Sequence, residues 1–237
     1  WRRLLLELLD EEAVSGHPQR AEFRQLVKTT WTGHASIDSA AYRLTRAFRT
    51  FTLERVFGWL TAACEAADEG FSVYRLPQRE GPLWRLVTER PQHLLPPNAV
   101  TWREALLAVV DRTIDYYAES GTPLGEQTWG DRNTLAMRHP LSRAVPALSR
   151  WLDMPYQPLP GDSKMPRVQS PGFGASQRMA VSPGHENEAY FHMPGGQSGH
   201  PLSPYFSAGH DDWVEGSRTP LLPGPGEHKL LLVPPPR

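Results

Sequence analysis

The segment 193–204 constrains the fold of this chain more than any other stretch of its sequence. It contains three glycines and three prolines in twelve residues. Because proline lacks an amide donor and glycine weakens regular structure, the segment can be neither a helix nor the interior of a paired strand. We predict a loop in which Gln197, Ser198 and His200 are the polar side chains able to contact a ligand.

Ser198 raises the question of a serine nucleophile. The nucleophile elbow of α/β hydrolases has the pattern Gly-x-Ser-x-Gly and leads directly into a helix. Here His200 stands where the second glycine would be, and Pro201 follows it. Asp212 and His228 do follow in the order of a Ser–Asp–His triad, but the intervening residues have the character of a loop. We favour a structural serine whose hydroxyl bonds to the loop backbone; a self-contained serine hydrolase is the alternative.

The histidines of the same region offer a second interpretation, a metal site. His192, His200 and His210, with Asp211 and Asp212, have the ligand types of a zinc or iron site. Their spacing fits no helical ligand motif of the HExxH kind. Scattered loop histidines are therefore the favoured interpretation.

Two further polar residues are candidates for ligand binding. Asp162 follows Pro160-Gly161 in a predicted turn, where an aspartate either caps the turn or contacts a ligand. Arg178 alternates with Gln177 and Met179, so it faces the opposite side of its predicted strand. We expect it to pair with a carboxylate or to line a pocket. The candidate substrate-binding residues are thus Asp162, Arg178, Gln197, Ser198 and His200.

Residues 1–120 have the hydrophobic periodicity of helices. Predicted helices cover 18–28 and 83–89. A long predicted helix lies between them, with Ser36 or Asp38 as its N-cap and a break near 50–52. Another is opened by the capping-box pattern Thr101-Trp102-Arg103-Glu104 and continues to Tyr117. The segment 91–97 is predicted to be a loop.

From Gly121 onward the chain holds most of its glycines and prolines and six of its nine histidines. Short strands are predicted at 177–181, 189–193 and 229–233, the first two forming an antiparallel hairpin. Three short strands make a poor free-standing sheet. We therefore predict an α+β fold with a helical segment 1–120 and a Gly/Pro-rich β segment 121–237. Together these form one incomplete domain that other polypeptide completes.

Charge and hydropathy exclude two classes of partner. The net charge is −1, so neither nucleic acid nor an anionic membrane surface is an expected partner. No apolar run approaches the ~20 residues of a membrane span. Cys64 is the only cysteine, which excludes an internal disulfide and a cysteine-based zinc site. The chain opens at Trp1 with leucines already at helical spacing, and we expect a fragment or a processed product.

An ordered series of motifs then points to a family. The second half resembles the C-terminal part of the β chain in the penicillin acylase (penicillin amidase) family of N-terminal-nucleophile hydrolases. Residues 121 to about 226 are covered closely, and the helical half is similar in pattern only. The matching residues are Trp129-Gly130-Asp131-Arg132-Asn133, His139-Pro140-Leu141, Pro160-Gly161-Asp162, Gly172-Phe173-Gly174-Ala175-Ser176-Gln177-Arg178-Met179, Pro194-Gly195-Gly196-Gln197-Ser198-Gly199-His200-Pro201-Leu202-Ser203-Pro204, and Trp213 with Gly216.

The resemblance implies an amidohydrolase with a four-layer αββα sandwich, made as a precursor (a zymogen) and cut into two chains. In the family, the new N-terminal serine of the β chain is the nucleophile and its own α-amine is the base. Backbone and asparagine donors hold the oxyanion. The substrate class is an N-acyl amide such as a β-lactam side chain or an acyl-homoserine lactone.

Neither the nucleophile nor the oxyanion asparagine maps onto a residue of this chain. We therefore expect residues 1–237 to be a C-terminal fragment, inactive alone, that supplies helices flanking the acyl pocket and strands completing the sheets. Its expected partners are the α chain and the N-terminal part of the β chain from the same precursor. A non-catalytic binding or scaffold module with acylase-like architecture is the alternative function.

No cofactor is expected in this chain. The resemblance allows a structural calcium in the full-length protein, with ligands mainly outside residues 1–237. The residues leave the compartment open, and the resemblance implies a periplasmic or secreted protein.

Overall fold

The computed structural model describes residues 1–95 and 99–234. It divides the chain into two compact units, Trp1–Arg132 and Asn133–Arg237. The predicted division at 120–121 lies close to this one in the sequence.

The first unit is helical. In its described ranges, 3₁₀ turns lie at Val73–Arg75, Gln92–Leu94 and Leu124–Glu126. Its α-helices are α1 (Arg2–Leu8), α2 (Glu11–Val14), α3 (Pro18–Thr29), α4 (Ala40–Leu60), α5 (Ala62–Ala67), α6 (Glu80–Glu89), α7 (Trp102–Ala118) and α8 (Trp129–Arg132).

Local signals start several of these helices. Thr101 caps α7 as predicted, since its hydroxyl accepts a hydrogen bond from the Glu104 amide at 3.1 Å. Asp10 caps α2 in the same way, accepting from the Ala13 amide at 2.9 Å. Pro18 occupies the first turn of α3, where its missing amide hydrogen costs nothing.

The predicted cap of the long helix α4 was wrong. Ser39, not Ser36 or Asp38, is its N-cap, and the Ser39 hydroxyl accepts from the Tyr42 amide at 3.1 Å. The same hydroxyl donates to the Thr30 carbonyl at 2.9 Å, so a tertiary contact selects this serine. The predicted break near 50–52 is also absent, because α4 runs unbroken through Thr52, whose hydroxyl bonds the Phe48 carbonyl.

The core of the first unit lies where α3, α4 and α7 pack together. Leu4, Leu5 and Leu8 of α1 enter it from the start of the chain, as their spacing predicted. Fully or almost fully buried apolar side chains of the three central helices are Phe23, Val27, Leu44, Phe48, Val56, Leu106, Val110 and Ile114.

Helix α6 contains the predicted helix 83–89 and begins one turn earlier, at Glu80. The predicted loop 91–97 includes the short 3₁₀ turn Gln92–Leu94. The rest of that prediction, at residues 96 and 97, lies outside the described residues. The longest described helix, α4, has 21 residues, and in the described ranges no helix is long and apolar enough to cross a membrane.

The second unit combines short strands, short helices and long connections. Its helices are α9 (Pro140–Ala144), α10 (Ser149–Leu152) and α11 (His210–Glu215), with 3₁₀ turns at Pro146–Leu148 and Glu186–Glu188. Its strands are β1 (Thr134–Leu135), β2 (Gln157–Pro158), β3 (Gln169–Ser170), β4 (Phe173–Gly174), β5 (Arg178–Ala180) and β6 (Tyr190–His192).

These strands pair antiparallel as β1–β2, β3–β4 and β5–β6. The predicted hairpin of 177–181 with 189–193 is confirmed, and Arg178 lies opposite His192 in its register. The predicted strand 229–233 was wrong, since these residues form no strand and their four apolar side chains are 73–84% exposed. The chain beside β6 is instead 219–221, whose Thr219 carbonyl accepts from the Phe191 amide at 3.0 Å.

A helical unit is thus followed by a loop-rich unit with antiparallel strands. The four-layer sandwich of the predicted fold class remains a prediction.

Candidate functional site

The second unit is organised around a buried tryptophan. Trp213, on α11, is 0% exposed and packs against Leu135 and Leu159. Its indole Nε1 donates to the Ala175 carbonyl at 2.8 Å. A Cβ at Gly174 would lie 2.7 Å from the indole Cζ2, which is closer than real Cβ contacts come. Only glycine therefore lets β4 approach the ring.

The motif residues of the second unit connect to this core through hydrogen bonds. The Asn133 amide group donates to the Leu159 carbonyl at 2.8 Å and to the Gly161 carbonyl at 3.0 Å. The Ala175 amide donates to the Val168 carbonyl at 3.2 Å. Hydrogen bonds from the Asn133 side chain therefore join segments far apart in sequence beside the buried indole.

The loop 193–204 is held by close backbone contacts. The Gly196 amide donates to the Phe206 carbonyl at 2.9 Å, and a Cβ on Gly196 would lie 1.8 Å from the Tyr205 carbonyl oxygen. His210, the first residue of α11, bonds through Nδ1 to the Pro194 carbonyl at 2.8 Å. Gly196 thus permits a tight approach of two backbone segments.

The three polar candidates of the loop make local hydrogen bonds. The Ser198 hydroxyl accepts from the His200 amide at 3.2 Å, and His200 Nδ1 accepts from the Leu202 amide at 3.2 Å. The exposed Gln197 amide contacts the Met193 sulfur at 3.7 Å. This is the backbone-bonding role favoured for Ser198 from its sequence. Ligand binding by Gln197, Ser198 and His200 remains a prediction.

Asp162 lies in the predicted turn and is buried. Its carboxylate Oδ1 accepts from the Ser163 amide at 2.6 Å, and its backbone amide donates to the Arg167 carbonyl at 3.2 Å. These hydrogen bonds support the interpretation of Asp162 as a cap of the turn. Its role in substrate binding remains a prediction.

Arg178 is the most unusual of the five candidates. Its guanidinium lies over the indole of Trp213, with Cζ 4.7 Å from the ring centroid, and Nη1 donates to the Trp213 carbonyl. Burial, with a smaller effect of the neighbouring Arg167, lowers the pKa of Arg178 to about 10. Opposite it, His192 is buried and its pKa is lowered, first by burial and then by the charge of Arg178.

A cavity of about 710 Å³ lies elsewhere in the same unit, beside α9 and α10. Arg138, Arg143 and Arg150 line it together with the carboxylate of Asp153, and Met154 joins it to the Trp213 core. None of the five candidate residues lines this cavity. The structure thus brings Gln197, Ser198 and His200 together in one loop but leaves them away from this concave surface.

Two alternative sites considered from the sequence, a catalytic triad and a metal site, have no supporting contacts among the described residues. In residues 1–95 and 99–234, no hydrogen bond or ion pair joins Ser198, Asp212 and His228. Within the same ranges, no three His, Cys, Asp or Glu side chains are grouped as metal ligands. We therefore derive no step through a triad or a metal in this chain.

Comparison with known families decides the relationship that the motifs indicated. The family model for penicillin amidase matches residues 1–227. The chain belongs to the penicillin amidase family. The match includes the helical half, for which the sequence alone showed similarity in pattern only. No curated protein gives a significant match to the chain.

Membership in the penicillin amidase family confirms the resemblance and indicates an acylase-like amidohydrolase. Of the motif residues, Trp213 lies in this core, and Asn133, Gly174 and Ala175 contact its members. Sequence reasoning missed Arg167, whose neighbours Pro166 and Val168 belong to no motif. It also missed the cavity, because α9 and α10 are too short to give a periodic signal.

Proposed function

We propose that residues 1–237 form the C-terminal part of the β chain of an N-acyl amide hydrolase of the penicillin amidase family. The nucleophile of this enzyme is the N-terminal serine of its β chain, which lies in another part of the precursor. The cleaved bond is a linear amide, and the α chain and the N-terminal part of the β chain complete the αββα sandwich.

One observation carries this proposal. The side chains of Asn133 and Trp213 donate to backbone carbonyls of the second unit, and His210 bonds to the Pro194 carbonyl of the loop 193–204. Ser198, the serine considered as a nucleophile, accepts a hydrogen bond from the His200 amide of its own loop. These contacts support a structural role for the residues that make them. We therefore assign the chain a structural role within an amidohydrolase.

The chemistry proposed for the whole enzyme needs no cofactor. A serine hydroxyl attacks the amide carbonyl, its own α-amine takes the proton, and fixed donors hold the oxyanion. Any structural calcium of the full-length protein would take its ligands mainly from outside residues 1–237. None of these groups is assigned to a residue of this chain.

The test is to express the complete open reading frame and sequence the N-termini of the mature chains. We expect the chain that contains residues 1–237 to begin with a serine, and replacement of that serine by alanine to leave an uncut, inactive precursor. An uncut protein that is fully active would contradict the proposal.

Expression of residues 1–237 alone distinguishes a stable scaffold module from a fragment of a larger enzyme. If they form a fragment, large exposed apolar side chains such as Tyr156, Leu202 and Tyr205 belong to a surface that other polypeptide covers. We then expect strong binding of a hydrophobic dye and self-association. A monomer that binds little dye and unfolds in one cooperative transition would favour the scaffold module.

A further inference from the structure

The cavity beside α9 and α10 carries more positive than negative charge. Arg138, Arg143 and Arg150 line it, and of the described residues around it Asp153 alone contributes a carboxylate. Three guanidinium groups and one carboxylate leave an excess of two positive charges. All three arginines are exposed, so a solute can reach them from solvent.

Asp153 does not neutralise these arginines. Its Oδ1 accepts from the His139 amide at 2.9 Å, and the Ser142 hydroxyl donates to the same oxygen. The bond from Ser142 is the main reason why the pKa of Asp153 is lowered, and the charge of Arg138 contributes less. Within residues 1–95 and 99–234, none of the three arginines of the cavity has an ion pair or a hydrogen bond. Their donors are therefore available to a ligand.

The shared position of the three arginines is more informative than their exposure. Water satisfies the donors of a single exposed arginine, which needs no other partner. Three cations around one concave surface repel one another, and such a surface concentrates anions. The guanidinium of Arg150 is also held in place, because its Cζ lies 3.7 Å from the ring centroid of Trp151. An anion bound in the cavity would relieve the repulsion.

The remaining walls of the cavity are largely apolar. Met137, Met154, Pro146 and Pro155 line it beside the arginines. The Met154 amide donates to the Met137 carbonyl at 3.2 Å, and both methionines pack against the Trp213 core. A volume of about 710 Å³ lies within the range of about 300–1,000 Å³ that is usual for pockets that bind small molecules. The walls therefore suit a ligand with an apolar body as well as a negative charge.

We propose that this cavity binds a small organic carboxylate. The three arginines hold the carboxylate group, because a guanidinium presents paired donors that match its two oxygens, and the two methionines contact the apolar body. A singly charged ligand is favoured over a doubly charged phosphate ester, since the ionised Asp153 repels negative charge at the same surface. The inference concerns the cavity alone and does not depend on the reaction proposed above.

Methionine methyl groups labelled with carbon-13 provide reporters for the test by NMR. Met137 and Met154 line the cavity, whereas Met165 and Met179 do not. The protein is the product of the complete reading frame, with signals assigned through leucine variants. We expect hydrocinnamate to shift the signals of Met137 and Met154 in a saturable titration and to leave the other two unchanged. Hydrocinnamyl alcohol has the same body without the charge and should shift none of the four.

Matched variants test the role of the arginines. Arg143→Gln should weaken the titration by about tenfold, the usual effect of losing a hydrogen bond to a charged group. Arg85→Gln removes an exposed arginine that pairs with Glu89 in the first unit and should have no effect. The signals of the two methionines outside the cavity show whether each variant is folded, and Arg138→Gln replaces Arg143→Gln if they change.

Three results would overturn the inference. The first is an absence of shifts with hydrocinnamate, including the case in which other polypeptide closes the cavity. The second is equal binding of the alcohol, or equal weakening by the cavity variant and by Arg85→Gln. The third is tighter binding of phenyl phosphate than of hydrocinnamate, which would replace the carboxylate by a phosphate ester. Saturable shifts in a protein that hydrolyses no amide would count against the proposed function alone.

Discussion

Gly196 and Gly199 lie three residues apart in the loop 193–204 but have very different surroundings. A Cβ at Gly196 would lie 1.8 Å from the Tyr205 carbonyl oxygen, whereas a Cβ at Gly199 would meet nothing within 4 Å. The first glycine is therefore required by a backbone approach, and the second is not required by any neighbour. This difference could not be predicted from the sequence, where the two residues look alike.

The substitution Gly196→Ala should destabilise the protein, because the Tyr205 backbone has to move to admit a methyl group. Overpacking of this kind costs about 1–3 kcal/mol or more. The matched control Gly199→Ala should change stability by less than about 0.5 kcal/mol. Urea unfolding followed by tryptophan fluorescence measures both. Equal effects of the two variants would contradict the close approach.

His192 should make the protein less stable in mild acid. Its pKa is lowered from the ordinary 6.5 by burial and by Arg178. Between the folded and unfolded pKa values the unfolded chain binds more protons, so stability rises with pH and is lost on acidification through this window. Thermal unfolding from pH ~7.5 to ~5.5 covers the upper part of this range, where histidine charge changes.

His192→Gln removes this titration, and we expect a smaller loss of melting temperature in acid than in the wild type. His200→Gln is the control, because His200 is exposed. Acid sensitivity that is identical in His192→Gln and wild-type protein would show that another group is responsible.

At the scale of single elements, α4 begins at a serine that its sequence did not single out. Ser36, Asp38 and Ser39 all have side chains able to cap a helix. The bond from Ser39 to the Thr30 carbonyl decides among them, and Thr30 belongs to the end of another helix. In contrast, the Thr101 cap was predicted, because its motif stands alone before a clear apolar periodicity.

Ser39→Ala should cost about 0.5–2 kcal/mol, the usual effect of losing an N-cap, and the loss of the Thr30 contact adds to it. Asp38→Ala, one residue earlier and exposed, should be nearly neutral. The unfolding midpoint of the helical circular dichroism signal compares them. A larger effect at Asp38 would restore the cap predicted from the sequence.

Helix α11 depends on its single buried ring. Trp213→Ala should cost about 3–5 kcal/mol, since a large side chain leaves a cavity and the Ala175 carbonyl loses its donor. Trp151→Ala, which truncates a partly exposed ring, should cost much less. The midpoint of thermal unfolding measures the difference, and similar costs would show that Trp213 does not organise the second unit.

At the scale of the whole molecule, strand prediction succeeded where two strands and their turn are close in sequence. The hairpin of β5 and β6 has both strands and its turn within fifteen residues, so alternation and turn residues were enough. The run Leu230 to Val233 has the composition of a strand but forms none, whereas 219–221, which was not predicted, lies beside β6. Apolar composition does not specify which backbone it pairs with, and that information lies in tertiary contacts.

The same limit applied to the candidate site. The motif series predicted the family, and the residues beside Ser198 predicted that its hydroxyl bonds to the loop backbone. Both depend on residues close in sequence. The hydrogen bonds of Arg178 and of its neighbour Arg167 depend on the carbonyls of Trp213 and Val214, which are more than thirty residues away. No local sequence pattern predicts such a long-range contact.

The residues after the family match should contribute little to either unit. The match ends at residue 227, and Leu230 to Val233 are 73–84% exposed. Removal of residues 228–237 should therefore leave the unfolding midpoints of the protein within error of the wild type. A clear loss of stability would mean that this apolar run is covered in the assembled protein.

The central claim is that this chain supplies the architecture of an amidohydrolase and another part of the precursor supplies its chemistry. The most direct measurement compares residues 1–237 with the product of the complete reading frame, using a panel of N-acyl amides that release a coloured amine. We predict hydrolysis by the complete product and none by residues 1–237. Hydrolysis by residues 1–237 alone that is lost in Ser198→Ala would contradict the claim.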